Sequence, residues 1–111
     1  MSKIKWRCIV CGKLLTPGPK PEACLLCGAT ADYIVAQAVY KSPTEALSPE
    51  SVADLDRAMA LEVEATRLYN EASERAKKEG DILIGLFFEA LAKNEHGHQI
   101  AIKYQKELRD Q

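Results

Sequence analysis

Residues 82–108 read ILIGLFFEALAKNEHGHQIAIKYQKEL, and the fold turns on them. Ile84, Phe88, Leu91, Glu95, His98 and Ile102 recur at steps of three or four, the spacing of one face of a helix. The stretch predicts a helix running to about Leu108, with Asp81 as its N-cap and Gly80 as the stop of the helix before it. That earlier helix is predicted from Pro49 to Lys78, because Ser48 followed by proline reads as an N-cap with proline at the first helical position. So short a link between two long helices implies an antiparallel hairpin.

Two residues on the apolar row are out of place. An ionised carboxylate on a buried stripe costs several kcal/mol unless it is paired or bound to a metal, so Glu95 and His98 call for a partner. At i and i+3 they share one helix face, and their donor atoms can converge on one ion. The first helix carries the same anomaly, with Glu62 set among Leu55, Ala58 or Met59, Ala65, Tyr69, Ala72 and Ala76. A four-helix bundle can hold two metal ions with one Glu from each of two helices and Glu-x-x-His from each of the other two. This chain encodes half of that set, so two chains packed hairpin to hairpin would complete it. His96 falls about 200° around the helix from His98 and reads as solvated. Glu64, Glu71 and Glu89 lie off the row and read as surface charge, Glu89 being a reserve candidate.

Upstream of residue 42 the chain changes character. Residues 1–42 hold all four cysteines, three of the five prolines and short β-like runs at Ile4 to Val10 and Tyr33 to Tyr40, whereas residues 43–111 are expected to be helical. The cysteines form Cys8-x-x-Cys11-Gly12 and Cys24-x-x-Cys27-Gly28. Each C-x-x-C turn points two thiolates at one place, and two such turns make a tetrahedral sulfur shell that suits zinc or iron equally. Fifteen Lys and Arg against sixteen Asp and Glu leave no electrostatic footprint for nucleic acid or an anionic membrane. The opening MSKIKWRCIV has no signal-peptide stretch, and Ile82 to Phe88 is far too short to span a bilayer. A soluble cytoplasmic protein is expected, in which closely spaced cysteines are metal ligands rather than disulfides.

The stretches Lys5-Trp6-Arg7-Cys8-Ile9-Val10-Cys11-Gly12 and Pro21-Glu22-Ala23-Cys24-Leu25-Leu26-Cys27-Gly28 resemble the rubredoxin-like module of rubrerythrins, including the aromatic two residues before the first cysteine. Lys13 and Leu14 stand where that family commonly has an aromatic. Glu62-Val63-Glu64-Ala65 with Tyr69, and Glu95-His96-Gly97-His98, are similar to the family's ligand helices. The resemblance implies an iron held by Cys8, Cys11, Cys24 and Cys27 that passes single electrons, with zinc the other occupant. It further implies di-iron ligands at Glu62, Glu95 and His98, and a hydrogen-bond donor behind them at Tyr69. Rubrerythrins carry four helices in one chain and mostly a C-terminal rubredoxin-like module. In having two helices this chain is more similar to the encapsulated ferritins, which build their iron site between subunits.

The expected architecture is therefore mainly α: an antiparallel hairpin that forms a ferritin-like four-helix bundle by dimerisation, plus a small N-terminal rubredoxin-like ribbon. The expected function is a non-haem di-iron oxidoreductase, a ferroxidase and/or peroxide reductase. Its substrates would be ferrous iron, hydrogen peroxide or dioxygen, with a separate electron donor and a homodimer or higher homo-oligomer as the working form. Ala65 occupies the place where the family's peroxide-reducing members carry an additional Glu, which favours ferroxidase. The competing expectation is a non-enzymatic zinc ribbon on a dimerising hairpin, an adaptor; it explains the cysteines but not Glu62, Glu95 and His98.

Overall fold

In the computed structural model, which describes residues 3–108, the two segments take the forms their local chemistry dictates. The ribbon has three short antiparallel strands, β1 (Trp6–Cys8), β2 (Leu14–Leu15) and β3 (Ile34–Ala36), in the order β2-β1-β3. These strands are shorter than the apolar runs that predict them. After Cys8 the backbone must turn to aim the next sulfur, so β1 ends there, and after Ala36 a 3₁₀ turn at Gln37–Val39 ends β3.

Residues 41–48 contain no helix or strand, and the hairpin follows as α1 (Pro49–Lys78) and α2 (Ile82–Leu108). Ser48 caps α1 by accepting the Ser51 amide at 3.1 Å, with Pro49 behind it. At the far end Gly80 takes φ +88°, the Asp81 amide donates to Ala76 O at 2.9 Å and the Gly80 amide to Lys77 O at 3.1 Å. That is a Schellman stop, which needs a left-handed residue and so favours glycine. Asp81 then accepts the Ile84 amide at 3.1 Å and starts α2 in the opposite direction. Arg75, Lys77 and Lys78 in the last turn of α1 lie where the helix dipole favours cations.

Small residues let the two helices approach. Ser73 and Ala76 of α1 are buried, as are Gly85 and Ala92 of α2, and Ser73 Oγ donates to Gly85 O at 2.7 Å. This seam is not the apolar row that predicts α2. Ile84 stays 42% exposed, Leu61 72%, Leu68 51%, Leu83 77% and Phe87 54%. The row 61, 65, 68, 72 on α1 and the row 84, 87, 91 on α2 are turned away from the Ser73–Gly85 seam, so one flank of the hairpin is apolar and uncovered. The shape agrees: the radius of gyration is 17.0 Å, against about 13 Å for a compact chain of this length, and the thinnest dimension is 18 Å. No helix among the described residues is long and apolar enough to cross a membrane.

The best-buried cluster lies in the ribbon and consists of Cys8, Cys11, Leu15, Cys24, Cys27 and Ile34, closed by Ala101 from α2. A core made largely of cysteines is too small to hold this segment folded unaided, which is the usual situation of a metal-stabilised module.

Candidate metal centres

The two knuckles are built alike. Cys8 N donates to Lys13 O at 3.0 Å and Gly12 N to Cys8 O at 2.9 Å; Cys24 N donates to Ala29 O and Gly28 N to Cys24 O, both at 2.8 Å. Gly12 and Gly28 turn at φ +80° and +81°, a left-handed step that L side chains resist. Just past each step a backbone amide reaches sulfur, Lys13 toward Cys11 and Ala29 toward Cys27, while the turn before Gly28 brings the Leu26 and Cys27 amides to Cys24. Cys8 and Cys27 Sγ lie 3.6 Å apart, as do Cys11 and Cys24 Sγ, and all four sulfurs fall within 4.8 Å of one another.

Burial pushes the Cys11 thiol far above its ordinary range and the Cys27 thiol up to about 11. Cys24 moves the other way: burial raises it, but the Cys27 and Leu26 amides together with the Cys11 and Cys27 side chains outweigh that and lower it. Four clustered sulfurs cannot all ionise without a cation among them, so the donor set fits a soft or borderline metal ion and disfavours the free tetrathiolate. Iron fits this shell, and so does zinc.

The second cluster spans the hairpin. Glu62 comes from α1 and Glu95 and His98 from α2, and one donor atom from each lies within 4.8 Å of the others. His98 turns Nδ1 toward both carboxylates, 3.3 Å from Glu95 Oε2 and 3.4 Å from Glu62 Oε2. Glu62 Oε2 is sealed from solvent yet accepts no hydrogen bond. A desolvated carboxylate oxygen with no donor is a cost that a cation removes, so the residues present fit a metal ion. Within one chain the cluster is half-buried rather than deeply buried: the side chains of Glu62, Glu95 and His98 are 25%, 18% and 44% exposed. Two carboxylates and one imidazole do not fill the coordination of two ions.

Around this cluster lie residues that the sequence reading passes over. Thr66 Oγ1 donates to Glu62 O at 2.8 Å, while the Gln99 amide donates to Thr66 Oγ1 at 2.8 Å and to Glu62 O at 3.4 Å. This bridge ties α2 to α1 at the Glu62 turn. The available signal was position, since both residues stand four after a candidate ligand. Tyr69 stacks on Phe88 with centroids 6.2 Å apart, and its hydroxyl makes no hydrogen bond to the cluster among the described residues. His96 lines a separate groove with Thr66, Asn70, Glu89 and Lys93, apart from the three donors.

Gly97 is buried in α2. The Cys24–Cys27 knuckle sits on it, and Tyr104 lies against Gly12 just after the first knuckle, so an aromatic does meet that knuckle, although α2 supplies it. A family model described as Rubrerythrin matches residues 54–110, most of the helical hairpin. No curated protein and no solved structure matches the chain.

Proposed function

The chain belongs to the rubrerythrin family, and on that premise we propose that it is a non-haem di-iron oxidoreductase, acting on ferrous iron in preference to peroxide, whose bundle is completed by a second copy. The observation that carries this reading is the Glu62–Glu95–His98 cluster with its orphaned Glu62 Oε2. The uncovered apolar flank supports the second copy, because a two-fold axis there would bring four carboxylates and two imidazoles together. Cys8, Cys11, Cys24 and Cys27 would hold one further iron as an electron-transfer centre.

Bound iron would supply the one-electron redox couple, and the chain supplies charge, geometry and shielding. Glu62 and Glu95 offer anionic oxygens that balance cationic charge in a partly desolvated site. His98 presents Nδ1 to the same point, its direction set by the two carboxylates beside it. The Thr66–Gln99 bridge keeps the Glu62 turn from drifting away from α2, and Tyr69 on Phe88 closes the apolar side. Ala65, in the row facing the flank, contributes no oxygen.

Glu62→Ala and His98→Ala should each abolish oxidation of added ferrous iron, and any peroxide consumption, since the two-fold removes two donors per dimer. The cysteine-bound metal should remain in both variants. Ferrous oxidation in Glu62→Ala at the wild-type rate would end the di-iron assignment and leave the zinc-ribbon adaptor standing.

A further inference from the structure

The ribbon rests on a single face of α2, made by Gly97, Ala101, Tyr104 and Gln105 at the spacing of one helix stripe. At Gly97 the approach is at backbone distance: a Cβ there would lie 1.8 Å from Leu26 O and 3.2 Å from Cys27 Cα. At the other knuckle a Cβ on Gly12 would lie 2.2 Å from Tyr104 Cε1. The Tyr104 hydroxyl is hydrogen-bonded to that of Tyr40. Gln105 Nε2 donates to Ile9 O at 2.7 Å and Val10 O at 3.0 Å, the two residues between Cys8 and Cys11. Ala101 is 7% exposed beneath the ribbon. A glycine in a helix interior is unfavourable, and the Leu26 carbonyl is the contact that excludes any side chain at 97.

His98 is the next residue along the helix, and its ring turns to Glu62 and Glu95. We infer that Gly97 is a positioning residue: it seats the Cys24–Cys27 knuckle against the backbone that bears His98, making each chain's own cysteine centre the electron-transfer neighbour of its Glu62–Glu95–His98 cluster. The inference rests on the di-iron reading above and specifies its wiring. From Cys27 the route crosses one non-bonded contact to Gly97 and then runs through covalent bonds to the His98 ring. With iron held by the four cysteines and by Glu62, Glu95 and His98, one electron would pass per event, the cysteine-held ion going from ferrous to ferric as a cluster-held ion goes from ferric to ferrous, and an external one-electron reductant would restore the first. No bond is made or broken at the seat.

The test compares wild type with Gly97→Ala, each carrying ferric iron at the cysteines and Mn²⁺, as a spin probe, at the cluster. Gly97→Ala should keep the visible spectrum of the cysteine-bound iron and lose most of the Mn²⁺-induced relaxation enhancement of its paramagnetic resonance signal. With iron in both sites and dithionite as reductant, single-turnover transfer between them should slow by about tenfold or more, because a displaced donor is a misplacement of the reacting partners. Relaxation and transfer rate both unchanged in Gly97→Ala would overturn the inference while leaving the di-iron reading intact. If Gly97→Ala cannot retain iron, the double variant Tyr104→Ala, Gln105→Ala loosens the ribbon without touching Gly97 or a ligand. It should lower the same relaxation enhancement, and an unchanged value would overturn the inference. Failure of wild type to bind Mn²⁺ at the cluster would overturn the di-iron reading and the inference together.

Discussion

Leu61→Lys isolates the role of the uncovered flank. Leu61 is 72% exposed and shares the row 61, 65, 68, 72 with Leu68, itself 51% exposed. Burying a leucine fully contributes about 1.5–3 kcal/mol, so covering the exposed part of Leu61 contributes about 1–2 kcal/mol per copy. A two-fold interface presents the residue twice, which makes the loss about 2–4 kcal/mol and weakens the dimer by about 30- to 700-fold. Lysine has nearly the same helix propensity as leucine, and its side chain would stand in water in the single chain, so hairpin helicity should not change. Sedimentation equilibrium gives the dissociation constant, circular dichroism the helix content, and metal analysis the occupancy. The variant should retain the cysteine-bound metal, lose the dimer and lose the helical-site metal with it. A dissociation constant indistinguishable from wild type would refute the placement of the interface. A wild-type monomer holding a full two-metal helical site would refute the shared site itself.

Three further outcomes follow from the centres. Cys24→Ser should release one metal per chain and unfold the ribbon, whose core is largely cysteine; the helical dichroism should persist, while amide exchange quickens over residues 97–108, where the ribbon is seated. Glu62→Ala in metal-free protein should melt no lower than wild type, and up to about 1 kcal/mol more stable, because it removes a buried oxygen that has no donor. The pH response should change sign with metal. In the metal-free protein the Cys27 thiol is raised from 9.0 to about 11, so the folded state holds its proton more tightly; that contribution is full below pH 9 and is lost as pH rises through about 11. Metal binding expels thiol protons instead, so affinity at the cysteine centre should climb across the same range. Thermal melts and competition with a chelator read the two limbs separately, and parallel limbs would contradict a thiolate site.

The ribbon's dependence on α2 changes how the two segments relate. Ala101 is part of the cysteine core, and Gln105 occupies the carbonyls between the first pair of cysteines. Arg7 adds a link within the ribbon, donating to Gly12 O at 2.7 Å and to Gln37 Oε1 at 2.6 Å while its guanidinium lies 5.0 Å from the Tyr40 ring centroid. Tyr40 in turn meets Tyr104, whose phenol is pushed up to about 12 by burial and by that neighbour. Unfolding of the ribbon would therefore uncover one face of α2 beside His98.

Sequence alone determined the features that rest on short-range physics. Ser48 and Pro49, Gly80, Asp81 and the two C-x-x-C-Gly turns satisfy their own neighbours' backbone groups, so the helix ends and both knuckles were legible within a few residues of each. The convergence of Glu62, Glu95 and His98 was legible for a related reason: a carboxylate on an apolar row is an anomaly that sequence displays, and an antiparallel hairpin brings the rows together. What only the tertiary structure decided was which surface covers which. Only part of the predicted row of α2 packs on α1: Phe88 stacks on Tyr69 and Glu95 and His98 meet Glu62, whereas Ser73, Ala76, Gly85 and Ala92 make a closer seam that leaves Ile84 on the flank. The space at Gly97 is taken by Leu26 O, and the aromatic absent after the first knuckle arrives as Tyr104. Those contacts join residues about seventy to ninety positions apart, and no local pattern encodes them, because they depend on the rotation of a whole ribbon about α2 and on the space that two glycines leave open.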